Sequence, residues 1–503
     1  MSYTQLCYTR LIEIKEYYSS REKRSDAIKN LQNFIRIHRV ALLSLLLIIG
    51  LFFSFQPVIS FGTLKGTHLE VSLAQIGVCI FILGASFGIV TQRARLIRHK
   101  WLALLIGFAL FATISLLWSP NIVRGSLNAV LLWGFVLLWA SLCVRATQAL
   151  PYAKLLIAIL LLITIFVGLF SYFQLFGDAL GLSTAITLLP APYVSDVFGF
   201  ARPTAFALEP QFLGSLLIIP ILYTSYLELH KKASILSRVA LVVSLSVLIL
   251  TISRGAYIAL FVGMLIILIT SLRRERLRTL LPFSALAACS IVIAFSAIAF
   301  ATQINDRNTV TPKAAIAKSL NQLSLGVIKI PEQQPTPPTQ TNENSSVPQV
   351  NAPQTEQKDE NIGYVAESTN SRVLMSQEAL RIWSQNPQTI LAGVGIGGFG
   401  VTLHDQRPIN SIGSIVNNQY LEILAETGLI GLTLFMAVIG YAFTVLIRNR
   451  RWLFVGILSA FCIQWLFFSG NVNVLHVWTF LGIALVSTTL SKRPSSMRAS
   501  SAK

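Results

Sequence analysis

The chain has 503 residues, of which 54% are hydrophobic and only 12% charged, with a formal net charge of +19. That is too apolar for a soluble domain of this size. The bases lie between apolar runs and form no separate basic domain, so nucleic acid is excluded as a partner and anionic membrane lipids take its place.

Residues 1–39 are a basic, Tyr-containing segment. The first apolar run begins near Val40 and lacks the short core and small-residue cleavage site of a secretory leader. Twelve apolar runs follow, at about 40–60, 69–90, 101–118, 126–144, 152–176, 212–229, 235–252, 255–271, 281–302, 417–447, 452–470 and 474–490. Each approaches the ~20 residues that cross a hydrocarbon core. The pattern predicts an all-α polytopic membrane protein of about 12 transmembrane helices, with a large outer loop between helices 9 and 10. With both termini in the cytoplasm, 28 of the 40 Lys and Arg fall on the inner side. They include Arg93, Arg95 and Arg98, then Arg273, Arg274 and Arg276, then Arg448, Arg450 and Arg451. The reverse orientation breaks the positive-inside rule at nearly every short link. Residues 491–503 become a cytoplasmic tail.

Two outer links are long, 177–211 and 303–416. Within the second, residues 331–360 are rich in Pro, Gln, Thr and Asn and have no apolar face, which predicts a disordered insert. Order is expected to resume at 371–385, an amphipathic helix with Val373, Leu374, Ala379, Leu380 and Trp383, ended by Asn386-Pro387.

All five cysteines lie in the N-terminal segment or inside the spans, so no outer disulfide is expected. The six histidines are scattered without metal-ligand spacing. Neither a metal nor another cofactor is expected.

The outer face is poor in charge, and its arginines stand out: Arg124, Arg202, Arg254, Arg372, Arg381 and Arg407. Arg254 interrupts an apolar stretch in LTISRGAYIAL, where an arginine is costly unless it is paired or faces water. A planar bidentate donor suits a phosphate or diphosphate. Arg124 reads better as a snorkelling headgroup contact. Glu209 precedes Pro210 in RPTAFALEPQFLG and reads as a first-turn carboxylate or as the partner of Arg202. In VNNQYLEILAETGLIGL, Asn418, Glu422 and Glu426 share one helix face at i, i+4 spacing, with Asn417 and Tyr420 on neighbouring faces. The GxGxxG in GVGIGGFG follows a helix and a proline rather than a strand. It reads as a turn packed closely on helix ends or a ligand.

Four blocks in this order, RPTAFALEPQFLG, LTISRGAYIAL, NSRVLMSQEALRIWSQNPQTILAGVGIGGFG and NNQYLEILAETGLIGL, resemble the O-antigen ligase and polymerase family of bacterial envelope polysaccharide synthesis. The resemblance spans roughly residues 200–440. It implies a metal-independent glycosyltransferase in the bacterial inner membrane that uses a glycan on undecaprenyl diphosphate at the periplasmic face. The acceptor is a hydroxyl on the lipid A core or on another lipid-linked glycan. Matched motif to motif, Arg202, Arg254 and Arg372 are the implied diphosphate ligands. Asn417, Asn418, Tyr420 and Glu426 fall on the acceptor-side motif of helix 10. Ligases of this family begin that motif with His-Asn, and this chain has Asn417-Asn418 instead. Asparagine cannot take a proton. The candidate bases are then His404, Glu422 and Glu209. A flippase or other transporter is the competing class, but it calls for charges at the midplane and access from both faces.

Overall fold

The computed structural model describes residues 39–53, 58–64, 67–92, 96, 99–195, 199–271, 277–305, 310–323, 364–407, 414–468 and 474–490. The expected insert 331–360, the tail 491–503 and nearly all of the N-terminal segment lie outside the described residues.

The protein is a predominantly helical, polytopic membrane protein. Its apolar helices are α1 (Arg39–Phe52), α2 (Leu73–Thr91), α3 (Lys100–Ile114), α4 (Ile122–Ala149), α5 (Ala153–Ala179), α6 (Pro210–Leu229), α7 (Ile235–Thr251), α8 (Arg254–Ser271) and α9 (Leu277–Ile304). After the short α10 (Pro312–Leu323) come α11 (Tyr364–Trp383), α12 (Pro387–Ala392) and α13 (Phe399–Gln406). The chain closes with α14 (Gln419–Arg448), α15 (Trp452–Gln464) and α16 (Leu475–Leu490). Among the described residues, seven helical stretches are long and apolar enough to cross a membrane. One of them, Ile122–Ala179, joins α4 to α5, and four shorter apolar helices accompany the seven. Leu83, Phe87, Leu117 and Phe261 are largely exposed on helix exteriors, as side chains facing hydrocarbon are.

The first expected pair of spans needs correction. Val58–Leu64 and Thr67–Ser72 form a two-stranded antiparallel hairpin, so α1 ends at Phe52 and α2 starts at Leu73. Val58, Ile59, Phe61 and Val71 are β-branched or aromatic and favour strand over helix. Ser72 then caps α2 with a reciprocal capping box to Gln75.

Small residues set the packing, as expected where lipid removes the hydrophobic drive between helices. α8 crosses α15 at Gly263 and Gly456. A Cβ on either glycine would sit 2.9 Å from the other's carbonyl oxygen. Elsewhere Phe135 stacks on Trp478 at 5.0 Å, and the Trp139 indole donates to the Trp478 carbonyl at 2.7 Å. At the opposite end of the α6–α7 pair from Glu209, Arg238 makes a bidentate ion pair with Glu228, at 3.0 and 3.1 Å.

α14 is two helices. Gly428 has φ 63 and ψ −167, so the chain breaks between Thr427 and Leu429. The helix carrying Glu422 and Glu426 is thus set off from the apolar helix that follows.

Candidate functional site

Four of the sequence-predicted residues meet in one place. Arg202, Arg254, Arg372 and Glu209 line a single pocket with Tyr193, Gln211, Gln464, Phe467 and others, enclosing about 650 Å³ with its open mouth. The pocket lies at the end of the bundle where α6 and α8 begin and α7 and α15 end.

The link 180–209 is folded onto α5 by Gln174, which is fully buried. Its amide nitrogen donates to the carbonyls of Thr187 (3.0 Å) and Ala205 (3.1 Å). Its oxygen accepts from the N–H groups of Thr204 (3.0 Å) and Ala205 (2.7 Å). One side chain thereby satisfies four backbone groups and fixes the stretch that carries Arg202 and Glu209. Arg202 is aimed by its own contacts. Its Nε and Nη2 donate to the Thr251 carbonyl at the end of α7, at 3.1 and 3.0 Å, and its guanidinium lies over the Tyr193 ring at 5.8 Å.

Arg254 is the first residue of α8. The reversal from α7 takes only Ile252 and Ser253, with Ile252 at φ 49. The Tyr257 hydroxyl secures this elbow by donating to the Ile249 carbonyl at 2.8 Å. The close approach expected at Gly255 is real and is made to Phe467, whose Cβ would lie 2.9 Å from a Cβ at position 255. Two helix N-termini, those of α6 and α8, therefore open toward the arginines and add positive potential.

Arg372 arrives on α11. This helix begins before the expected residue 371, and of the face expected for it Ala379 packs inward while the larger aliphatics do not. Ala379 and Ile382 are buried against Phe399, Leu403, Val416 and Ala425, while Val373, Leu374 and Leu380 are exposed. Glu378 holds both Arg381 (2.7 Å) and Arg407 (2.6 Å), so these two arginines brace the loop and do not line the pocket.

Glu209 is the N-cap of α6, with Pro210 following, but its side chain makes no capping bond. Its carboxylate accepts from Gln211 Nε2 at 2.6 Å, and Gln211 Oε1 in turn accepts from Arg372 Nη2 at 3.5 Å. Burial pushes the Glu209 carboxyl above its ordinary range, against the opposing pull of the Gln211 hydrogen bond and of the Arg372 and Arg202 charges.

The other predicted residues lie away from the pocket lining. Asn417, at φ 58, turns the chain into α14, and the Asn418 side chain caps that helix by accepting from the N–H groups of Tyr420 and Leu421. The Tyr420 hydroxyl donates to the Cys462 carbonyl at 2.8 Å and ties α14 to α15. His404 is half-buried on α13. Glu422 and Glu426 are both buried, and the charge of Arg124 acts on Glu426. The glycine-rich turn docks beside them. The Val394 and Gly395 N–H groups donate to the carbonyls of Ala425 (3.0 Å) and Glu426 (2.8 Å), and a Cβ at Gly393 would collide with the Glu426 backbone at 2.3 Å. It is a close-packed joint on helix ends.

Gln211 and Gln464 were not singled out in the sequence. Gln464 had a signal: it is a lone amide in the apolar run AFCIQWLFF.

The fold is a polytopic helical bundle with three arginines and a carboxylate in one pocket at one end. Residues 239–436, under half of the chain, match the family model described as O-Antigen ligase. That segment is thus similar to the O-antigen ligase family. The match includes Arg254, Arg372 and the glycine-rich turn; Arg202, Glu209 and Gln464 lie outside it. No curated protein matches the chain.

Proposed function

We infer that the pocket grips the diphosphate of undecaprenyl-diphosphate-linked glycan and that the chain transfers the glycan to a sugar hydroxyl on the periplasmic face. The product is O-antigen or exopolysaccharide, by polymerisation or ligation, and the acceptor is a lipid-linked glycan or the lipid A core. The single observation that carries this reading is the meeting of Arg202, Arg254 and Arg372, from three distant stretches of sequence, in one pocket.

The chemistry follows from charge. The hydroxyl oxygen attacks the anomeric carbon, and the bond to the lipid diphosphate breaks with its electron pair passing to the diphosphate. Guanidinium groups held in advance beside a low-dielectric wall stabilise that charge without reorganising. The two helix N-termini act in the same sense. The arginines can supply this stabilisation unaided, so transfer is metal-independent. Orientation with both termini in the cytoplasm and twelve crossings belongs to the same reading.

The test uses the full chain purified and returned to lipid discs. Undecaprenyl diphosphate should bind, and Arg202→Ala, Arg254→Ala and Arg372→Ala should each weaken binding and glycan transfer. Full transfer by both Arg202→Ala and Arg254→Ala would remove the diphosphate clamp. Loss of wild-type transfer in a chelator would remove its metal independence.

A further inference from the structure

The pocket lining also holds a neutral amide that the arginines do not explain. Gln464 is 2% exposed and ends α15 in the pocket wall. Its Nε2 donates to the Gln211 main-chain carbonyl at 3.4 Å. A carbonyl only accepts, so the amide nitrogen must face it and Oε1 must turn the other way. That Oε1 is buried and has no hydrogen-bond partner. A buried acceptor left unmade costs stability and marks a group awaiting a donor. An ionised diphosphate has no proton to offer such a group. A sugar hydroxyl has one.

The same short stretch holds the carboxylate. Gln211 gives its backbone carbonyl to Gln464 and its side-chain amide to Glu209. Gln464 and Glu209 are therefore held by one residue and flank the arginine cluster. We propose that Gln464 and Glu209 form the subsite for the acceptor's sugar hydroxyl, Gln464 Oε1 receiving a hydrogen bond from the acceptor glycan and Glu209 taking the proton of the attacking hydroxyl. This rests on the donor-site reading above. The step balances. The new C–O bond forms at the anomeric carbon, the old one leaves with the diphosphate, and the hydroxyl proton passes to the Glu209 carboxylate and then to water. Asn417, at the position of the family's histidine, cannot take a proton and is outside the pocket lining. His404 and Glu422 are outside the pocket lining.

The experiment separates donor binding from acceptor use. Glycan-free undecaprenyl diphosphate probes the arginine side. Lipid-linked glycans extracted from cells lacking this chain serve as donor, and acceptor is titrated in two arms: purified lipid A core, or the lipid-linked glycans themselves. Gln464→Met, close in size and apolar, should bind undecaprenyl diphosphate within about 2-fold of wild type yet need about 10-fold more acceptor for half-maximal rate, the worth of one hydrogen bond. Glu209→Gln should bind undecaprenyl diphosphate at least as tightly, since a negative charge leaves the arginines, and should lose about 10²–10⁴-fold in turnover. The arm that saturates identifies the acceptor's source. Wild-type acceptor saturation in Gln464→Met, or wild-type turnover in Glu209→Gln, would overturn the subsite while leaving the donor site standing. Failure of the wild-type protein to bind undecaprenyl diphosphate would overturn the donor reading and this one with it.

Discussion

The six outer arginines look alike in the sequence, and their surroundings sort them. Arg381 and Arg407 share Glu378, the charge of Arg124 acts on Glu426, and Arg202, Arg254 and Arg372 line the pocket. Arg254→Lys should therefore be nearly as damaging as Arg254→Ala, by about 10²–10³-fold in transfer rate, because a lysine keeps the charge but loses the planar fork. Rates of purified variants at matched folded protein check this. Glu209 gives a pH signature. It faces Arg202 and Arg372, with Arg254 and Tyr193 in the same wall. Its carboxyl is raised by burial, and a base works only when deprotonated. The acid limb of the rate should then lie above the usual carboxylate range of about 4. Gln211→Leu should move that limb to still higher pH, because the lost hydrogen bond favoured the carboxylate. A limb that stays put in a pH–rate profile would contradict it. That the three arginines and Glu209 gather in one pocket was legible because charge is scarce on the outer face and each stood in a recognisable block. Gln211 and Gln464 were not, because a neutral amide declares its role only once its partners are known. From the helix 10 motif, Asn418 makes a cap and Tyr420 an interhelical bond, contacts that the motif alone did not reveal.

The helices work as supports whose ends carry the chemistry. α8 supplies Arg254 and α15 supplies Gln464, and their glycine crossing sets them level. Gly263→Leu should force these helices apart and reduce both folded yield, read by size-exclusion chromatography, and undecaprenyl diphosphate binding. Gly134→Ala, at a position with no heavy atom within 4 Å of the added Cβ, should behave as wild type. α11 is tied to the segment after α13 by Glu378. Glu378→Gln should weaken undecaprenyl diphosphate binding by no more than about 5-fold while leaving the fold intact, since both arginines are substantially exposed and such pairs are worth little. A collapse in folded yield would show that the ion pairs hold more than one helix in place. The boundaries of α11 were misread for a simple reason. The packed face keeps the expected Ala379 but turns through Ile382, which is less conspicuous in the sequence than the exposed Val373 and Leu374.

On the scale of the molecule, the apolar runs were legible because a bilayer tolerates few alternatives to a helix. The hairpin at 58–72 was missed because a strand of Val, Ile and Phe is as apolar as the end of a span. The alternation of the crossings has an internal check in the fold. The start of α6, the end of α7, the start of α8 and the end of α15 share one pocket, so these ends lie on the same side, as alternating crossings require. With the orientation the positive-inside rule favours, reporter fusions at Lys232 and Arg450 should read as cytoplasmic, and one at Gln385 as periplasmic. A cytoplasmic signal at Gln385 would reverse the orientation and remove the site from its donor. The glycine crossing has one more consequence. At ~1.5 Å of rise per residue it lies roughly 12–13 Å from both Arg254 and Gln464. It is thus the fulcrum of two equal arms, and a tilt of about 10° between them moves their tips by roughly 2 Å. That displacement is enough to make or break a hydrogen bond, so the spacing between Arg254 and Gln464 is sensitive to a contact between two residues that have no side chain at all.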